Sequence, residues 1–139
     1  MTRRIERVTA LAAPLAIRRA VFIEEQGVSE ADEVDGRDPD CLHWLAWRDD
    51  VPVATLRVLP KGRDAKVQRV AVLPEARGTG LGAALMRAAM DELRAMGFAR
   101  AVLGAQTDAL GFYERLGFAA HGPVYDDAGL PHRDMTRDL

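Results

Sequence analysis

Apolar residues recur along this chain with two different spacings, and the spacing predicts the elements. Residues 3–8 (RRIERV) alternate polar and apolar side chains, the period of a short strand. Leu15, Ile17, Val21 and Phe22 then share one stripe of a helix, with Thr9 as candidate N-cap, Pro14 in its first turns and Gly27 as its stop. Residues 42–47 and 51–59 are strand-like runs around Asp49-Asp50, with Pro52 close behind, which predicts a hairpin. Residues 67–73 form another β-branched run, ended by Pro74. Residues 81–96 carry the strongest helical pattern: Leu81, Leu85, Ala88, Ala89, Leu93 and Met96 on one stripe, Arg87, Asp91 and Arg94 opposite, and Gly97 as the C-terminal cap. A strand at 101–103, a short helix capped by Asp108 and closed by Gly117, and two last strands at 118–125 and 132–136 complete the order β-α-β-β-β-α-β-α-β-β. No repeat, low-complexity tract or linker interrupts it, so residues 1–139 are expected to form a single mixed α/β domain.

Composition narrows the function. A net charge of −2 argues against a general nucleic-acid binder, which usually carries a basic excess. The single Cys41 forms no internal disulfide, and no Cys/His cluster suggests a metal, so a reducing compartment and no metal cofactor are expected. The apolar run at 10–17 follows three arginines in the manner of a signal peptide. It holds Pro14, however, and is followed by Arg18 and Arg19 without a small-residue cleavage site. No apolar stretch approaches the roughly 20 residues that span a bilayer. A cytoplasmic protein with no membrane partner is the expectation. Oligomeric state is left open, a homodimer included.

Charge is nonetheless unevenly spread. Residues 24–40 hold eight acids against one base, Arg37, a local charge of −7 that leaves +5 for the rest of the chain. Gly27, Gly36 and Pro39 mark the segment as largely loop. It is either a solvated loop or the rim of a site that attracts a cation, for which Asp35 and Asp38 are the leading candidates. Arg57 and Arg69 are expected to pair structurally with such acids.

Three glycines at alternate positions open the strongest helix, in PEARGTGLGAALM at 74–86. The run Gly78-Thr-Gly-Leu-Gly-Ala83 matches GxGxxA, a form of the dinucleotide fingerprint. That fingerprint needs its first glycine directly after the strand, but five residues separate Val72 from Gly78. It also needs an acid at the end of the next strand, and residues 98–104 contain none. Close packing of the helix start explains one glycine better than three, since each costs up to about 1 kcal/mol relative to alanine. Removing Cβ atoms lets successive backbone N–H groups converge on an anion at the positive end of a helix, and two adjacent phosphates fit such a cradle.

With Arg77, the stretch Arg77-Gly-Thr-Gly-Leu-Gly82 fits [Q/R]-x-x-G-x-[G/A] and resembles the acetyl-CoA-binding motif of the GNAT superfamily of N-acetyltransferases. Ala109, Tyr113, Gly117 and Phe118 resemble the superfamily's A-x-x-x-Y-x-x-x-G-F signature. VFIEEQ at 21–26, DGRD at 35–38, His43, AQ at 105–106 and GLPHRDM at 129–135 are similar to the small bacterial ElaA-like group, so the resemblance covers nearly the whole chain. It implies a GNAT fold, a central mixed, mostly antiparallel sheet of about six to seven strands flanked by helices. It implies acetyl-CoA as cosubstrate, held at Arg77, Gly78, Thr79, Gly80, Leu81 and Gly82, with the pantetheine arm along the strand edge at Val70, Ala71 and Val72. Many members carry Asn seven residues before the tyrosine; Gln106 stands there and keeps an amide. The implied reaction is direct acetyl transfer to a primary amine of a small molecule or peptide. A different class of protein, an acyl-CoA-binding sensor without chemistry, would keep the same cradle.

Acetyl transfer needs a proton donor for the leaving thiolate and an acceptor for the amine's proton. Tyr113 is the candidate acid: a phenol of pKa about 10 is protonated at pH 7. Candidates for the acceptor are Glu25, beside the buried stripe of the first helix and expected to have a raised pKa, then His43 inside a strand, then His132 near the acceptor side.

Overall fold

The structure, a computed structural model, describes residues 2–139. Strand β1 (Arg3–Val8) leads into helix α1 (Ala12–Arg18), which continues as a π-helical turn over Arg19–Glu25. A one-turn helix α2 (Glu30–Glu33) interrupts the acidic segment. Strands β2 (Leu42–Arg48), β3 (Val51–Lys61) and β4 (Asp64–Val72) form a meander, followed by helix α3 (Leu81–Ala95), strand β5 (Arg100–Gln106), helix α4 (Leu110–Arg115) and the hairpin of β6 (Ala119–Asp127) and β7 (Leu130–Asp138). The predicted element order holds.

The seven strands make one sheet in the order β1-β2-β3-β4-β5-β7-β6. Every neighbouring pair is antiparallel except β4 and β5. The β2–β3 turn places both Asp49 and Asp50 at positive φ, 51° and 64°, the conformation that matches a two-residue turn to the twist of its strands. β3 and β4 run longer than their apolar runs because Pro60, Lys61, Asp64 and Lys66 extend the ladder into the solvent-facing end.

Helices cover both faces, which explains why β2 and β3 are apolar without alternation. On one face α3 packs Leu81, Leu85, Met86, Ala89, Met90 and Leu93 against Trp44, Leu56 and Val58. On the other, Ile17 and Val21 of the α1 segment pack on Leu45 and Ala71. Three local expectations need correction. Met96 is 41% exposed, and Met86 and Met90 fill the stripe in its place. Leu11, not Thr9, is the N-cap of α1, without a side-chain bond. Asp108 lies in a 3-10 turn, and Ala109, without a side-chain bond, is the N-cap of α4.

Candidate active-site cleft

β4 and β5 pair only through Asp64–Lys66 and Arg100–Val102. Beyond that the strands part, and a cleft of about 910 Å3 opens between them. Its walls are Val70, Ala71 and Val72 on β4, Gly104 and Gln106 on β5, the π-helical turn, the start of α3, and the β6–β7 hairpin. On its β3 side, β4 carries a bulge: Arg69 and Val70 together oppose Leu56, and Arg69 has φ 55°. Bulges turn backbone groups out of the ladder, here beside the cleft. A strand edge without a partner is a natural seat for an extended, amide-bearing arm.

The glycine loop forms one end of the cleft. Gly78 and Gly80 sit at φ 73° and 80°, where a Cβ is strained, although nothing lies within 4 Å of either Cβ position. Gly82 is different: a Cβ there would lie 3.3 Å from Val72 Cγ2 and 3.6 Å from Phe112 Cζ. Close packing therefore accounts for the third glycine and backbone conformation for the first two. Gly80 caps α3 without a side-chain bond, and Ala84 N–H is bonded to its carbonyl at 3.0 Å. The amides of the first turn have no helical acceptor and remain available to an anion. Gly78, Gly80, Leu81 and Gly82 line the cleft. Thr79 instead shapes the loop, donating its hydroxyl to the Ala76 carbonyl at 2.6 Å.

Arg77 is already engaged. Its Nε donates to the Val72 carbonyl at 2.9 Å, and its two terminal nitrogens grip Glu25 at 2.7 and 2.6 Å. This bidentate pair ties the π-helical turn to the glycine loop across the cleft. It also corrects the expectation for Glu25: the hydrogen bond from Arg77 holds its carboxyl below the usual carboxylate range, not above it. A carboxylate held ionised in this way is a weak proton acceptor.

Tyr113 lines the cleft from α4, its ring edge-on to Phe112 and Phe118 with centroids 5.0 and 5.9 Å away. Burial alone pushes its phenol well above the ordinary tyrosine range, and its hydroxyl has no protein partner among the described residues. The Gln106 amide donates to Gln26 Oε1 at 2.9 Å, so it joins β5 to the segment after the π-helical turn.

Of the acidic segment, Glu25, Asp32 and Glu33 line the cleft, whereas Asp35 and Asp38, the leading candidates for a cation site, do not. Arg18, 1% exposed, donates to Glu33 at 2.7 Å and to Asp38 at 2.6 Å. Arg57, fully buried, donates to Asp38 at 3.0 Å and to Asp35 at 2.6 Å. Arg69 Nε lies 2.8 Å from Glu33 Oε2. Arg57 and Arg69 are thus paired with acids, as expected, and Asp35 and Asp38 are corrected from substrate contacts to members of this network. The hydrogen bond from Arg57 carries Asp35 far below its usual range; burial alone would raise Asp38, but Arg18 and Arg57 outweigh it. His43 also lies outside the cleft: its Nε2 donates to the Asp38 carbonyl at 2.9 Å, and its Nδ1 is buried without a partner. That bond ties β2 to the acidic segment.

His132 does line the cleft beside Gln106, and with them come Tyr125, Gly104 and Asp134, which the sequence did not single out as site residues. Gln106, His132 and Tyr125 stand side by side on β5, β7 and β6, with Gly104 and Asp134 paired one step along. The Tyr125 hydroxyl donates to Asp134 Oδ1 at 2.7 Å. Burial first and this bond second push the phenol to about 12. A Cβ on Gly104 would stand 2.2 Å from that hydroxyl. The glycine inside a strand was the one available signal, since it marks close approach by another group. Gly104→Ala is expected to expel Tyr125 from its seat, which a loss of its aromatic NMR contacts to His132 will show while the melting temperature falls only modestly.

Among the described residues no helix is long and apolar enough to cross a membrane, and no group of three His, Cys, Asp or Glu is placed to hold a metal ion. Residues 11–118 match the model of the Acetyltransferase (GNAT) family. The protein ElaA of Escherichia coli is 35% identical over 138 residues, covering 95% of this chain and 90% of its own, and its crystal structure superposes with a TM-score of 0.86 over 98% and 99% of the two chains. An acyl-CoA N-acyltransferase from Pseudomonas aeruginosa is 33% identical over 98% of each chain, with a TM-score of 0.83. The PaiA N-acetyltransferase from Thermoplasma acidophilum, solved in complex with coenzyme A, shares the fold at 15% identity and a TM-score of 0.76, covering 100% of both chains. With a sheet split between β4 and β5, a glycine-opened α3 and relatives of this closeness, the chain belongs to the GNAT acetyltransferase family, in its ElaA-like group.

Proposed function

We propose that this protein is an acetyl-CoA-dependent N-acetyltransferase, acting in the cytoplasm on a primary amine by direct attack. The observation that carries the proposal is that the glycine loop and the unpartnered Tyr113 hydroxyl belong to one cleft, opened by the parting of β4 and β5. The residues present suit acetyl-CoA. Backbone amides at the start of α3 offer donors for a pyrophosphate, and the free edge at Val70, Ala71 and Val72 suits the pantetheine amides. The cosubstrate supplies the acetyl thioester and a thiol leaving group. An amide of β4 polarises the carbonyl, and Tyr113 gives its hydroxyl proton to the departing sulfur. Arg77 orders the loop through Val72 and Glu25, and phosphate oxygens would compete with Glu25 for its guanidinium.

Ligand-dependent melting tests the cradle. Coenzyme A at about 100 times its Kd is expected to add about 2.7 kcal/mol of stability, and NAD none. The opposite result would return the loop to the dinucleotide class. Thiol release from acetyl-CoA over a panel of amines then tests the chemistry; stabilisation without release with any amine makes the protein an acyl-CoA binder and not an enzyme.

A further inference from the structure

The acetyl-transfer reading lacks a proton acceptor. Glu25 is locked to Arg77, and His43, Asp35 and Asp38 lie in or beside the buried network outside the cleft. We propose that His132 is the catalytic base, taking the proton of the incoming ammonium at Nε2. The inference rests on the acetyl-transfer reading above. Its ring is nearly buried, at 9% exposure, and lines the cleft. Nδ1 lies 2.8 Å from the Leu130 carbonyl oxygen, which can only accept, so Nδ1 carries the hydrogen in the neutral ring. The lone pair is thereby left at Nε2, which has no protein partner among the described residues. A backbone acceptor that sets the tautomer and orientation of an imidazole is what a general base needs.

The ring is also held in place from its neighbours. Tyr125 stacks on it, centroids 6.0 Å apart and planes 25° apart, and is itself fixed by Asp134 in the space that Gly104 leaves. The strand partners of His132 are the neutral Gln106 on β5 and Tyr125 on β6; the cleft that it lines carries Asp108 and Asp127, and also Lys66, Arg69, Arg77 and Arg115. In the step, an N–H bond of the ammonium breaks with its electron pair left on nitrogen, Nε2–H forms, and the imidazolium returns the proton to solvent. The freed pair is the nucleophile.

Two measurements decide it. Nitrogen-15 NMR of the imidazole, on the wild-type protein without any ligand, is expected to show the Nδ1–H tautomer; the Nε2–H tautomer overturns the proposal whatever the enzyme's activity. The second is kcat/KM of His132→Asn and His132→Gln against wild type from pH 7 to 10, with an amine of pKa about 10.4. Asn places its amide N–H where Nδ1 donates to Leu130 and lacks the base. Both variants are expected to lose about 100-fold at pH 7. The loss should shrink by up to about tenfold per pH unit as the amine becomes neutral unaided, with the melting shift on coenzyme A unchanged. A loss that is uniform across pH, a wild-type rate in His132→Asn, or loss of the coenzyme A shift each sinks the assignment of His132 alone. Absence of thiol release by the wild type with any amine fails the acetyl-transfer reading instead.

Discussion

Tyr113→Phe is expected to lower kcat by about 100-fold or more, the usual contribution of a positioned general acid. The substitution removes one oxygen. The ring keeps its edge-on contacts with Phe112 and Phe118 and its place in the core that includes Leu116 and Met135. The hydroxyl has no hydrogen-bond partner among the described residues, so stability should change by no more than about 1 kcal/mol, in either direction. A fall in kcat with an unchanged melting temperature separates proton donation from packing. Burial raises the phenol well above its ordinary range, so the donor form persists through pH 6–10 and no alkaline decline in rate should arise from this group. A variant within about threefold of wild type across that range removes Tyr113 from the chemistry.

The sequence disclosed the parts of this site whose signals are local. The glycine loop, the proline-stopped β4 and the A-x-x-x-Y-x-x-x-G-F pattern are short-range constraints, each set by backbone conformation or one helix face. The acidic segment was legible as a charge anomaly but not as a structure. Its meaning depends on Arg18, Arg57 and Arg69, which reach it from α1, β3 and β4. The same holds for Glu25, whose position beside an apolar stripe suggested a raised pKa until Arg77, 52 residues away in sequence, was found gripping it. Tyr125, His132 and Gln106 meet only because three strand registers align, and a bulge between His121 and Tyr125 shifts one of them. One residue of slip would move each side chain to the opposite face. Pattern alone therefore locates the glycine-loop end of the cleft better than the end at His132.

Arg57→Met is expected to cost about 3–5 kcal/mol, because it takes the shared guanidinium from the buried Asp38 and the partly exposed Asp35. Asp38 would keep only Arg18, and Asp35 only the more distant Arg69, 3.6 Å away. Against a typical total of about 5–15 kcal/mol, such a loss brings the domain close to unfolding and should lower its melting temperature by roughly 10 °C or more. Arg57→Lys is expected to rescue little, since a single ammonium cannot replace the donors that Arg57 extends to Asp35, Asp38 and Gln68. The pH dependence has a definite sign. Asp35 and Asp38 both have depressed values in the folded state, so their stabilisation is fully present above the unfolded value of about 3.9 and is lost as pH falls toward the folded values. The melting temperature should therefore be insensitive to this network from pH 5 to 8 and drop below about pH 4, with Arg57→Met flattening that drop. A variant that melts within about 3 °C of wild type at pH 7 shows that the network is not what holds the segment. The consequence reaches the cleft. Glu33 is bound by Arg18 and Arg69 together, Arg69 springs from the bulge in β4, and Asp32 and Glu33 line the cleft wall opposite that bulge. Loosening the network should thus raise KM for acetyl-CoA before the fold is lost, because the same arginines that pair with the acidic segment also hold the edge of β4 in place.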